Sequence, residues 1–197
     1  MRKFLILLLV ASFSMISFSQ RFSSELVFGI NSSHINGDEL VGWNKAGIMT
    51  GVTSKFKIND VLSTRIEILY SQKGSRRAMG PDDPILDLLV YKVNVIEVPF
   101  MLDYTYIPKF HLISGFSLGN IVTARRLEGN ADEDLSPTLL RFDYGYIIGT
   151  TYELSDQFSA SAKFTTSLFA FNDSGTTKLK NHVLSLYLSY NLIKSKK

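Results

Sequence analysis

The 197-residue sequence predicts an all-β protein, an eight-stranded antiparallel up-and-down transmembrane β-barrel behind a cleaved signal peptide. Three observations predict it. The first is alternation. In Tyr91–Tyr106 every second residue from Ile96 onward is apolar or aromatic: Ile96, Val98, Phe100, Leu102, Tyr104 and Tyr106. Glu97, Asp103 and Thr105 lie between them. A period of two places the first set on one face of a strand, and about 9–11 tilted residues cross a bilayer. The second is arrangement: about eight such segments are joined by connections that are alternately long and short, as in outer-membrane barrels. The third is the N-terminus. Arg2 and Lys3 precede an apolar run, Phe4–Val10, and Ser17-Phe18-Ser19 supplies small residues for cleavage.

Residues 1–19 therefore read as a signal peptide, and residues 20–197 as the barrel domain, beginning at Gln20. The apolar run is short for a membrane anchor and turns polar at Ser12 and Ser14. With no cysteine in the chain, a lipid-modified N-terminus, thiolate chemistry and cysteine metal sites are excluded. That absence suits an exported protein without disulfides. The formal charge is +3, and Arg2 and Lys3 leave with the leader, so there is no nucleic-acid footprint. No later apolar run approaches the roughly 18 residues of a membrane helix.

The first strand, Ser24–Ser33, puts Leu26, Phe28 and Ile30 on one face and Val27, Gly29 and Asn31 on the other. Ile35–Asn44 is a loop carrying Leu40, Val41 and Trp43, apolar residues placed to fold onto the rim. The second strand, Lys45–Ile58, sets Ile48, Val52 and Phe56 against Gly47, Gly51 and Lys55, and Asn59-Asp60 is a turn. The third, Leu62–Lys73, sets Ile66, Ile68 and Tyr70 against Arg65, Glu67, Leu69 and Ser71. A long connection, Gly74–Leu89, leads to the fourth strand, which ends at Tyr106.

After the tight turn Ile107-Pro108-Lys109, the fifth strand spans Phe110–Ala124 and is followed by a polar loop, Arg125–Thr138. The sixth, Leu140–Leu154, sets Phe142, Tyr144, Tyr146, Ile148 and Tyr152 against Arg141, Asp143, Gly145, Gly149 and Glu153. Ser155-Asp156-Gln157 turns into the seventh, Phe158–Phe169, and the loop Asn172–Lys180 precedes the last, His182–Ile193. A basic tail, Lys194–Lys197, ends the chain. A water-soluble barrel or sandwich would bury the apolar rows. The long strands, the aromatics near strand ends and the small residues on the opposite face favour lipid outside instead. Closure is then required, because a sheet edge in lipid leaves backbone groups unpaired.

Four short motifs occur in order: Leu69-Tyr70-Ser71-Gln72-Lys73-Gly74; Ile96-Glu97-Val98-Pro99 with Leu102 and Tyr104; Ser114-Gly115-Phe116-Ser117-Leu118-Gly119; and Phe142-Asp143-Tyr144-Gly145. On these the chain resembles the PorT-type outer-membrane β-barrel family over nearly all its mature length. The tail Lys194–Lys197, beyond the apolar last strand, departs from a standard terminal barrel-assembly signal. The resemblance implies an eight-stranded outer-membrane barrel and, for the named member, a part in protein secretion and surface assembly.

By parity the non-lipid face carries Lys55, Arg65, Glu67, Glu97, Asp103, Arg141, Asp143, Glu153 and Lys163. A barrel of about eight strands is just wide enough for its side chains to fill. Buried charges must pair, so the expectation is a salt-bridged plug, with Glu67, Glu97 and Asp143 facing Arg65, Arg141 and Lys163. Pro99 is expected to mark a bulge or kink. Gly115, Gly119, Gly145 and Gly149 are expected to make room for long inward side chains.

His34 and His182 become neighbours on closure and could share a metal, although two imidazoles without a carboxylate make a poor site. His111 is the third histidine. No serine-hydrolase, zinc-protease or phosphate-loop motif is present, and Asp132, Glu133 and Asp134 read as a solvated acidic loop. No cofactor is expected. Arg76, Arg77, Arg125 and Arg126 stand at outer strand ends, placed to meet phosphates of lipopolysaccharide. The function expected is non-enzymatic: a membrane scaffold and interaction protein whose partners are outer-membrane lipid and envelope or secretion-machinery proteins. A small-solute pore is the alternative, and a lipid-modifying enzyme the third class.

Overall fold

The computed structural model describes residues 22–38, 40, 42–78, 89–138, 140–172 and 178–193. The expected signal peptide, the stretch Pro81–Pro84, Val41 and the basic tail Lys194–Lys197 lie outside them. Among the described residues there are nine strands: β1 Phe22–Asn36, β2 Lys45–Lys57, β3 Leu62–Arg76, β4 Leu89–Ile107, β5 Phe110–Glu128, β6 Ala131–Asp134, β7 Phe142–Glu153, β8 Phe158–Ser167 and β9 Lys180–Ile193. Every pairing is antiparallel. Consecutive strands pair from β1 to β5; β5 then pairs with β7, β7 with β8, β8 with β9, and β9 returns to β1. Eight strands thus close the barrel, and β6 is a short extension paired to the tip of β5.

The turns at one end are short and locally determined. The Asn59 side chain accepts hydrogen bonds from the amides of Val61 and Leu62, at 3.0 and 2.8 Å, an Asx turn that reverses the chain between β2 and β3. Lys109, at φ 70°, completes the turn after Pro108. Ser155 Oγ accepts from the amides of Gln157 and Phe158.

At the other end the strands run further than the alternation predicts. β3 reaches Arg76 and β5 reaches Glu128, and β4 and β5 have 19 residues each, about 60 Å of chain. The apolar row stops where lipid stops, but backbone pairing continues beyond it. The stretch expected as a polar loop is therefore partly strand. Arg125–Glu128 pairs with Ala131–Asp134 across a two-residue turn in which Gly129 has φ 54°.

The faces divide as the parity requires. Phe28, Ile68, Phe100, Phe116 and Leu188 point out and are each more than half exposed. Val27, Met49, Leu69, Val95, Met101, Ile113 and Ile147 point in and are buried. Aromatic pairs stand near both ends of the outer face: Phe22–Phe56 and Phe158–Tyr190 by the short turns, and Tyr144–Phe169 toward the long loops. Interfacial girdles have this placement.

Two local expectations are corrected. Pro99 is buried and makes no bulge. Its pairing with Ser117 keeps register, and the β3–β4 pairs Ile66–Phe100 and Leu69–Glu97 keep one register across it. Lacking an N–H, it omits a rung without inserting a residue. The bulge lies higher, where Asn94 faces Thr123 but Val95 faces Ile121. Gly119 and Gly145 do make room for side chains, Val95 and Ser117, but Gly115 and Gly149 serve a different purpose. A Cβ on Gly115 would meet Phe100 O and Met101 Cα, and one on Gly149 would meet Ala162 O. They allow neighbouring backbones to approach in a strongly coiled sheet. Gly51 meets Ile68 O and Leu69 Cα in the same way. Gly51→Ala is expected to destabilise the barrel by about 1–3 kcal/mol through overpacking, read as a lower urea midpoint in micelles.

Candidate functional site

The lumen is filled in layers. Beside the short turns, Lys55 Nζ lies 2.7 Å from Glu25 Oε1. Asp103 holds Arg65 through Oδ2 and His111 Nδ1 through Oδ1, the latter at 2.9 Å. The other nitrogen of His111 lies 3.2 Å from Glu153, which is half exposed at the rim.

In the middle, Glu67 receives Lys163 Nζ at 3.0 Å and lies 3.8 Å from Arg65. Tyr187 OH stands beside both Arg65 and Glu67, and the Lys163 ammonium lies 5.3 Å from the Tyr187 ring centroid. Arg65, Glu67 and Lys163 are at most 1% exposed, so each depends on these partners for the solvation it has lost.

Toward the long loops, Lys73 binds Glu97 at 2.7 Å and lies 4.0 Å from Asp143. Asp143 accepts hydrogen bonds from Ser167 Oγ and Asn181 Nδ2. Asn31 donates to Ser71 Oγ and accepts from Ser185 Oγ, both at 2.8 Å. Above this polar stack sits an apolar plug of Ile35, Val93, Val95, Ile121, Ala124 and Phe171. It is covered by Tyr91, Leu135 and Leu179.

Seven of the nine charges placed inward by parity join this network: Lys55, Arg65, Glu67, Glu97, Asp103, Asp143 and Lys163. The other two do not lie in the lumen. Arg141 is exposed, because β7 begins only at Phe142 and the chain there follows the mouth. Glu153 is the last residue of β7 and reaches the network through its contact with His111. The expected partners also change: Arg65 takes Asp103, and Lys73, not Arg141, faces Glu97 and Asp143. Glu25, Lys73, His111 and Tyr187 are the network members that were missed. Each shares parity with neighbours already placed inward, so counting by twos through the same strands finds them.

The outer rim also rearranges the expected arginines. Arg125 pairs with Asp132 at 3.0 Å, and Arg126 with Glu128 at 2.6 Å and Glu133 at 3.8 Å. The β6 hairpin thus folds its acids onto those two cations. Hydrogen bonds from the Ser136 side chain and then from its amide hold the Asp134 carboxyl below the usual carboxylate range. Arg77 donates its amide to Leu89 O. Arg76 is exposed, and among the described residues no carboxylate pairs with it.

Trp43 folds down the outside of the barrel, its carbonyl bound by Ser32 Oγ at 2.7 Å and its ring against His34 and Phe164. Leu40, from the same loop, is buried. His34 and His182 do become register partners, with rings stacked at 6.4 Å. Phe164 stacks on His182, whose Nδ1 lies 3.0 Å from Thr166 Oγ1. Among the described residues no third metal-binding side chain joins them. The pair belongs to an aromatic girdle.

A closed eight-stranded antiparallel barrel with an apolar exterior and a polar interior defines an outer-membrane barrel protein of the Gram-negative envelope. The family model "Outer membrane protein beta-barrel domain" matches residues 12–173, and the chain belongs to that family. No curated protein matches the sequence significantly. Among solved structures, the crystal structure of Ail, the attachment invasion locus protein of Yersinia pestis, in complex with the heparin analogue sucrose octasulfate, is 14% identical with a TM-score of 0.53. The match covers 87% of this chain and 99% of that one. Neisserial surface protein A (NspA) is also 14% identical, with a TM-score of 0.54, over 86% of this chain and 96% of that one. At such identities the likeness concerns the fold.

Proposed function

We propose that this barrel is a non-catalytic membrane scaffold and interaction protein, with a part in protein secretion or surface assembly as the PorT-type resemblance implies. The observation that carries this reading is the filled lumen. Three layers of bonded charges and an apolar plug occupy the space a solute would need, which leaves the rim, the loops and the outer wall as working surfaces. The partners are envelope or secretion-machinery proteins. Residues 1–19, as a signal peptide, would deliver the chain to the periplasm.

Affinity purification of the tagged chain from cross-linked envelope membranes tests the reading. A stoichiometric envelope-protein partner supports it, and recovery of the barrel alone with lipid rejects it. The pore alternative draws on the polarity of the inward face and is tested by planar-bilayer recording. The expected result is no steady conductance. A large, steady open level would overturn the scaffold reading in favour of transport.

A further inference from the structure

We propose that a pocket in the outer mouth, above the apolar plug, binds a small organic cation: an ammonium group joined to a short apolar body. The pocket has a volume of about 250 Å³ and is lined by Ile35, Gly37, Asp38, Tyr91 and Leu179. Local structure builds it. β1 ends at Asn36, and Gly37 follows at φ 98°, a left-handed turn that glycine makes without strain. The turn sets Asp38 beside Tyr91 and Leu179. Asp38 Oδ1 accepts from the Leu40 amide at 2.9 Å, which fixes the carboxylate in place. Leu179 is fastened from the other side. Its amide donates to Asn172 Oδ1 at 2.8 Å, and its carbonyl accepts from the Phe171 amide at 3.0 Å. With Ile35 it gives the pocket an apolar side that rests on the plug.

The class of ligand follows from what the pocket lacks. Asp38 Oδ2 is buried and receives no hydrogen bond. The neighbouring cations are engaged elsewhere. Arg126, the register partner of Tyr91, is taken by Glu128 and Glu133, and the Lys180 ammonium donates to Leu168 O. A buried carboxylate oxygen without a donor is unfavourable. An ammonium offers three N–H donors and no acceptor, and its bond to a carboxylate is charge-assisted. Among the described residues no group of three metal-binding side chains includes Asp38, so the cation is organic. Ile35 and Leu179 would take its apolar body, the usual division of labour in a ligand pocket. The plug closes the floor, and the volume suits one free small molecule. This inference concerns the mouth alone and is independent of the secretion role.

The test uses the folded chain in phosphatidylcholine nanodiscs, titrated with phenethylammonium at neutral pH. The Leu40 amide resonance is followed, because its hydrogen bond makes it a reporter on Asp38. A saturable shift is expected, with Kd on the order of millimolar for so small a ligand. Phenethyl alcohol has the same body without the charge and should bind about tenfold more weakly. Asp38→Asn keeps an acceptor for Leu40 and removes the charge; it should weaken phenethylammonium binding by about tenfold. Asp132→Asn, at the rim outside the pocket, should stay within about twofold of wild type. If Asp38→Asn does not fold, the comparison of ammonium with alcohol on the unaltered chain carries the test. The absence of a saturable shift, equal binding of the alcohol, or unchanged binding by Asp38→Asn overturns the proposal. Tighter binding of Nα-acetyl-lysine amide than of phenethylammonium would overturn the choice of a free small molecule in favour of a partner's lysine side chain.

Discussion

Glu67→Ala lowers the unfolding free energy by about 3–5 kcal/mol, the cost of stranding a buried cation. Glu67 is fully buried and is the carboxylate that receives Lys163 Nζ, 3.0 Å away. Arg65 keeps Asp103 after the truncation, so the stranded charge is Lys163, left with the Tyr187 ring and the more distant Glu97, which is already paired with Lys73. The companion variant Glu67→Leu/Lys163→Leu removes both charges and should recover most of the loss, because a buried ion pair and an apolar pair of similar volume are nearly equivalent in energy. Urea titration of the folded fraction in micelles gives both numbers. A single-variant cost below about 1 kcal/mol would show that the interior is wet enough to solvate Lys163 without its partner.

Leu186→Arg lowers the stability of the barrel in lipid vesicles by about 2–4 kcal/mol, while Leu192→Arg costs about 0–1 kcal/mol. Both leucines point outward, 51% and 55% exposed, but Leu186 lies at mid-strand and Leu192 at the end of β9. The difference comes from depth, since an arginine near the interface keeps its charge hydrated. Equal, small costs at the two positions would place water, not hydrocarbon, against the outer face.

Much of this architecture was legible in the sequence because a strand's period is two. One glance at parity separates Ile66, Ile68 and Tyr70 from Arg65, Glu67 and Ser71, and the same count assigns Glu97, Asp143 and Lys163 to the interior. Parity gives a face but not a height or a partner. Lys163 and Glu67 are 96 residues apart in sequence and meet across the lumen. Whether they stand level depends on strand tilt and register, which arise only on closure. Arg141 shows the converse failure, since its parity is inward but the strand has not yet begun. In the sequence Arg125 and Arg126 stand ready for lipid phosphates, because the polar run Arg125–Thr138 carries no alternation that reveals the hairpin returning Asp132 and Glu133 to them.

The sequence by itself determined that the chain is β throughout, which residues on each strand meet lipid, and how many strands close the wall. These are consequences of nearest-neighbour geometry. Only the tertiary structure decided which carboxylate neutralises which cation, and that the mouth is stopped by Ile35, Val93, Ile121 and Phe171. The physical reason is that electrostatic and packing energies depend on distances through space, and in a barrel those distances are set by how the first and last strands meet.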